Sequence, residues 1–435
     1  MRQTIALLFV AIMTVPAFAS SAQHLVLTGG TVIDVSDLGQ SRSDMSDAVI
    51  IVNGDSIEAI GTGKTLAVPA DATVIDITGK YVLPGLIDGY GSIESQAYAN
   101  AYLYMGVTSV LVLPGYRRGQ LFDGAQPAPN IYLYGDVGHF EVSTDEMIRQ
   151  IENFAEKGVK HIVLMYALKP DQVAVAVKKA RELGMTTICE VIGISYKDAA
   201  AYGADAFLHF VRYSVELAPP DLRERLAKGI FKEAEREYRV WLAELDPADQ
   251  NVTAYADFLA SSSIALIPTL AVSCIDAPFL DNPWKEAAAT ILTPADIHNP
   301  LDLKTGKHYG PDKMDLVARA IQNFLDIETR YCKAGARYLA GSGTDINGTM
   351  PGISLHQELE LLVRVGLTTR QALAAATSNF PDLLGLDNVG KLTPGFRADL
   401  VVTNRNPVES IKNLKDIHLL VLGGKVMDRD SMLIL

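Results

Sequence analysis

Short runs dense in Val, Ile and Leu recur along the chain, each closed off by Gly, Asn, Asp or Pro. Near the start, HLVLTGGTVIDV (24–35), AVIIVNGDSIEAIGTG (49–64) and ATVIDITGKYVLP (72–84) predict short strands joined by tight turns. The same signature returns at the far end in GKLTPGFRADLVVTN (390–404) and IHLLVLGGKVM (417–427), so the two termini are expected to share one small β-sandwich. Between them, apolar runs alternate with helical patterns, which predicts βα units around a parallel sheet. The strand candidates are VLPGLIDGY (82–90), TSVLVLP (108–114), NIYLYGDV (130–137), HIVLMYA (161–167), TTICEVI (186–192), AFLHF (206–210), IALIPTLAV (264–272) and RYLAGSGTD (337–345). Eight such strands make the expected fold α/β, a (β/α)8 TIM-like barrel with a β-sandwich formed from both termini. Residues 211–263, acidic and basic in turn, read as a helical insertion after the sixth barrel strand. The expected division is 1–22 as a signal peptide, 23–83 and 387–435 as the two parts of the sandwich, and 84–386 as the barrel.

Composition narrows the function classes. With 435 residues, 49% hydrophobic and 20% charged, the chain has ample material for a large core. A formal net charge of −13 and the lack of a basic stripe argue against binding nucleic acid or an anionic membrane surface. The first 22 residues carry Arg2, an apolar stretch and small residues around Ala17-Phe18-Ala19, the pattern of a secretory signal, so an exported protein, periplasmic or secreted, is expected. No later stretch is long and apolar enough for a membrane span. Cys189, Cys274 and Cys332 are far apart and contain no CxxC pair, which leaves room for one disulfide at most and none of the zinc-knuckle spacing.

GKYVLPGLID (79–88), GTD (343–345), ELELLVRVGLTTRQALAAATSNFPDLLGL (358–386) and VGKLTPGFRADLVVTNRNPVESI, in this order, resemble the amidohydrolase superfamily, most nearly the branch of imidazolonepropionases and related secreted dipeptidases. The resemblance implies hydrolysis of C–N bonds in small amides, cyclic amides or dipeptides. It also implies a divalent metal at the C-terminal ends of the strands, where loops converge on a common mouth, and a multimer.

At those ends the metal-binding pattern is eroded. The first strand of active members ends in Asp-x-His-x-His; this chain reads Asp88-Gly89-Tyr90-Gly91-Ser92, and strand alternation predicts Asp88, Tyr90 and Ser92 on one face. The fourth-strand lysine position matches Val163, and His161 on its face lies about 6.6 Å deeper, too deep to replace it. The fifth strand offers Glu190, while His209 on the sixth and Asp345 on the eighth match retained ligands. Three readings follow. Glu190, His209 and Asp345 hold one divalent ion, with oxygen-rich ligation favouring Mg, Mn or Ca, and Asp345 acts as the catalytic proton acceptor. Alternatively no metal is bound, and a pocket lined by Asp88, Tyr90, Ser92, Glu190, His209 and Asp345 binds a small molecule or a partner. In the third, Asp345 or Glu190 serves as base and His209 as acid in metal-free hydrolysis. His139, beside Asp136 and Glu141, and His356, starting a helix after Asp345, are weaker candidates for the mouth.

Overall fold

The computed structural model describes residues 24–113, 122, 124–228 and 233–434; the segment read as a signal peptide lies outside them. In chain order the strands are β1 (Leu25–Val32), β2 (Met45–Asn53), β3 (Ser56–Thr62), β4 (Thr73–Asp76), β5 (Tyr81–Pro84), β6 (Leu86–Gly91), β7 (Val107–Val112) and β8 (Asn130–Val137). They continue with β9 (His161–Leu164), β10 (Thr186–Cys189), β11 (Ala206–Leu208), β12 (Ala265–Ile267), β13 (Arg337–Tyr338), β14 (Leu400–Thr403), β15 (Ile417–Leu422) and β16 (Lys425–Val426).

The terminal strands meet in one mixed sheet, ordered β16-β15-β14-β5-β1-β2-β3, with β4 pairing β1 in parallel beside this path. The two ends thus share a core, as expected, but as a single hydrogen-bonded sheet forked at β1 rather than two separately bonded ones. β2 and β3 are joined through Gly54, whose φ of +61° suits the two-residue turn between Asn53 and Ser56. β14 lies antiparallel to β5, pairing Leu400 with Pro84 and Thr403 with Tyr81, so residues more than three hundred positions apart form adjacent rungs.

β6 to β13 form the second sheet, parallel throughout and in sequence order. It curls until its edges meet, but no ladder joins them: Gly89 N–H donates to Ala340 O (2.9 Å) and Gly343 N–H to Tyr90 O (2.8 Å). The interior is filled by a buried layer that includes Ile87, Tyr90, Tyr134, Val163, Leu208 and Ile267. A parallel sheet covered on both faces requires such continuous apolar strands. Several strands are shorter than their apolar runs. β12 stops at Ile267 because Pro268 has no N–H to give and Thr269 turns to φ +47°. β11 stops at Leu208, since His209 adopts φ +61°. The eighth run is ladder only at Arg337–Tyr338; beyond it the backbone bends through Gly343 (φ +70°) and pairs irregularly with β6.

The segment after β11 is helical, with helices at Phe210–Tyr213, Pro220–Ala227, Glu233–Glu244 and Gln250–Ser261. A second excursion escapes sequence reading. Between β12 and the long helix Pro311–Ala334 the chain runs through short 3₁₀ turns and folds back over the segment after β13, where Gly348 N–H donates to His298 O (2.7 Å) and Asn299 Nδ2 to Asn347 Oδ1 (2.6 Å). All three cysteines are free, Cys189 and Cys274 buried and Cys332 half-buried.

Candidate active site

Glu190 and His209 lie just beyond the C-terminal ends of β10 and β11, and the structure brings them together. The His209 Nε2 is 3.8 Å from Glu190 Oε1. His209 Nδ1 is 2.6 Å from Thr269 Oγ1, and the Thr269 hydroxyl itself donates to Pro268 O at 2.8 Å. The threonine oxygen must therefore accept, which assigns the proton to Nδ1 and leaves Nε2 bare towards Glu190. Burial, reinforced by the nearby Arg212, pushes the imidazole down to about 3, so it stays neutral. Its ring meets the Tyr90 ring edge to face, with centroids 5.1 Å apart.

The charge facing Glu190 comes from Arg212, three residues beyond His209. Its Nε is 3.5 Å from the same Glu190 Oε1, and its Nη1 is 3.2 Å from Glu235 Oε1 on the Glu233–Glu244 helix. All three side chains are buried. Burial raises Glu190 to about 7 despite the guanidinium, with Asp136 and Glu235 adding to the rise. Glu190 Oε2 is buried and accepts no hydrogen bond.

A second polar group sits at the ends of β8 and β9. Asp136 Oδ2 is 3.2 Å from His139 Nδ1, and His139 Nε2 is 3.1 Å from the Tyr166 hydroxyl. Burial raises Asp136, with His139 opposing, and Asp136 Oδ1 is also buried without a hydrogen bond. His139 is thus a half-buried partner of Asp136 that also contacts the Tyr166 hydroxyl.

Other expected site residues are placed differently. The β6 register shifts between Asp88 and Gly91, and this irregularity breaks the alternation that would have kept Asp88, Tyr90 and Ser92 on one face. Tyr90 joins the interior layer, whereas Asp88 is paired across the ladder with Val110, which packs in the layer against the outer helices. Asp88 Oδ1 accepts from the backbone N–H groups of Ser342 (2.8 Å) and Tyr90 (3.2 Å), so its role is in the seam. Burial raises it to about 6. Ser92 Oγ is buried with no hydrogen-bond partner.

Asp345 is buried, and its Oδ1 accepts the His298 backbone N–H at 2.8 Å, which ties it to the excursion over the sheet. Val163 is fully buried in the interior layer. His161 lies at the start of β9 with Nδ1 2.6 Å from Thr186 Oγ1, and burial lowers it to about 4. His356 is buried with Nε2 2.8 Å from Met105 O, a packing role.

These positions test the expected metal set. Among the described residues, no group of three or more His, Cys, Asp or Glu side chains is arranged to hold an ion. Of the expected triad Glu190, His209 and Asp345, Glu190 and His209 are in contact, and Asp345 accepts the His298 N–H. The residues present do not fit a divalent ion: the carboxylate oxygen nearest the bare imidazole nitrogen already faces a guanidinium, which repels a second cation. Sequence reasoning missed Arg212, Glu235, Thr269 and Tyr166. Arg212 left a trace, a lone arginine inside the apolar run HFVRYSV.

The comparisons bear on ancestry. The model of the amidohydrolase family matches residues 312–427. The chain is similar to the imidazolonepropionase of Deinococcus radiodurans, 24% identical over 394 residues that cover 83% of this chain and 86% of that protein. In fold it is similar to a putative prolidase from Bifidobacterium longum (TM-score 0.61, 20% identity, 95% of this chain and 98% of that one). It is likewise similar to a bottromycin amidohydrolase (TM-score 0.68, 17% identity, 94% and 87%). The amidohydrolase family match near the C-terminus and the fold shared with these solved structures agree with the resemblance carried by the sequence motifs: the chain is similar to amidohydrolases over residues 312–427 and has their fold.

Proposed function

We propose that this chain is a metal-independent member of the superfamily whose curled sheet acts as a (β/α)8 barrel and binds a small molecule in its mouth. The hydrolysis of amide or peptide-like C–N bonds seen in the names of its relatives is the ancestral chemistry of that pocket. The observation that carries the reading is the Arg212 guanidinium 3.5 Å from Glu190, which supplies the positive charge where the superfamily pattern would place an ion. Loss of the first-strand histidines to Tyr90 and Ser92 and of the fourth-strand lysine to Val163 supports it. The decisive experiment is elemental analysis of protein purified without chelator and re-equilibrated with Zn, Mn and Mg. Substoichiometric metal in every case is expected. One tightly held ion per chain, lost in His209→Ala, would overturn the reading.

A second reading is favoured by one observation: Glu190, raised to about 7, stands beside a neutral imidazole with a bare nitrogen. Glu190 can therefore gain and lose a proton near neutral pH, as general acid–base hydrolysis of an amide requires, while the neutral imidazole offers an acceptor nitrogen beside it. Turnover of a dipeptide or N-acyl amide that resists chelator and disappears in Glu190→Gln is its signature. The Arg2 and Ala17-Phe18-Ala19 pattern, outside the described residues, supports export to the periplasm or the medium, and N-terminal sequencing of mature protein tests it. Family precedent supports a homo-oligomer, which sedimentation would measure.

A further inference from the structure

We infer that the mouth recognises an organic ammonium group, held between Glu190 Oε2 and Asp136 Oδ1 against the Tyr90 and Tyr134 rings. Both oxygens are buried and accept no hydrogen bond, and the Glu190 side chain is only 5% exposed. A buried carboxylate oxygen without a donor costs about 1–3 kcal/mol, so two at one mouth call for a ligand that supplies N–H groups. Both residues point inward. Asp136 shares its rung with Val163, and Val163 with Ile188; Glu190 follows two residues above Ile188 on the same face of its strand.

Charge selects the class of ligand. Among the described residues, Arg212 is the cation that faces Glu190, and it is shared with Glu235, so of these side chains Asp136 and Glu190 leave net negative charge at the mouth. A carboxylate ligand would meet that field unfavourably; an amine gains from it. The aromatic wall adds to the preference, because the Tyr90 and Tyr134 rings lie 6.2 Å apart in the interior layer, and ring faces attract cations. Burial raises the Glu190 and Asp136 carboxyls even against Arg212 and His139, so a bound ammonium would gain by restoring the charge that burial disfavours. An ammonium has no coordination sphere to complete and tolerates the guanidinium beyond Oε1, which a divalent ion does not.

This inference rests on the metal-independent reading and is separable from it. Chelator-treated protein is titrated calorimetrically with benzylamine, benzyl alcohol and benzoate, three probes alike in shape and different in charge. Saturable binding of benzylamine alone is expected, weakened at least tenfold in Asp136→Asn and in Glu190→Gln, with near-ultraviolet circular dichroism confirming that each variant is folded. If Glu190→Gln fails to fold, Asp136→Asn decides. Tighter binding of benzoate, no saturable binding at millimolar amine, or unchanged affinity in a folded variant each overturns the amine assignment while leaving the metal-free reading in place. Displacement of benzylamine by a stoichiometric divalent ion overturns both.

Discussion

Glu328 offers a direct test of how burial sets the charge states in this protein. It is fully buried on the Pro311–Ala334 helix, and its two carboxyl oxygens accept the hydroxyls of Tyr338 (2.6 Å) and Tyr213 (2.8 Å). Burial raises it from an ordinary 4.5 to about 7, only partly offset by these two donors. A raised carboxyl stabilises the fold fully below its unfolded value and loses that contribution as pH rises through its folded value. The displacement from 4.5 to about 7 corresponds to about 3 kcal/mol. Glu328→Gln cannot ionise; its amide keeps one acceptor oxygen and replaces the other with an NH2 that only donates, so one of the two tyrosine hydroxyls loses its acceptor at every pH. The stability of the variant relative to the wild type should therefore rise by about 3 kcal/mol between about pH 4 and about pH 8, on top of a pH-independent cost for the lost acceptor, read from urea unfolding at both values. Other buried carboxyls, such as Asp88 and Glu190, cancel in the difference. A wild-type-to-variant difference that does not change with pH would refute the reasoning.

Other outcomes follow from the same geometry. Arg212→Met removes the counter-charge of Glu190 and Glu235 together and should destabilise the fold by about 3–5 kcal/mol near neutral pH, measured by denaturant midpoint; an unchanged midpoint would mean the two buried pairs contribute nothing. Gly341→Ala would set a Cβ 2.8 Å from the Ile267 Cγ2 and 3.3 Å from the Tyr90 Cβ, so a loss of about 1–3 kcal/mol is expected, and a silent substitution would show that the seam yields freely. Thr269→Ala deprives the His209 Nδ1–H of its acceptor and should cost about 1–3 kcal/mol; histidine NMR showing the same tautomer in this variant would contradict the assigned role of the threonine.

The regular parts of this fold were legible because apolar runs and turn residues carry them. The strand pattern from Leu25 to Leu422 and the helical segment after β11 emerge from local sequence, and the superfamily motifs lie in the same segments. The meeting of Glu190 and His209 was legible because both stand at strand ends that the family frame picks out, His209 as a matching residue and Glu190 by position alone. Asp88 was misassigned because a one-residue irregularity in β6 reverses a face, and alternation cannot anticipate it. The hydrogen bond that Asp345 accepts from the His298 N–H was not legible, because it comes from an excursion without periodicity. Arg212 and Glu235 meet across 23 positions of an insertion, a long-range pairing that no local pattern encodes.

The pairing of β5 with β14 has a consequence for how the chain is made. When synthesis has reached the middle of the polypeptide, β1 to β3 can already associate, but β5 must wait for residues 400–403. Until they arrive, one side of β5 offers unpaired amide and carbonyl groups to any other extended segment. A nascent or truncated chain ending before Leu400 should therefore depend on a holdase or aggregate through that open edge, whereas the full-length chain closes it with its own C-terminal strand. The last tenth of the polypeptide thus acts as an intramolecular guard for the first fifth.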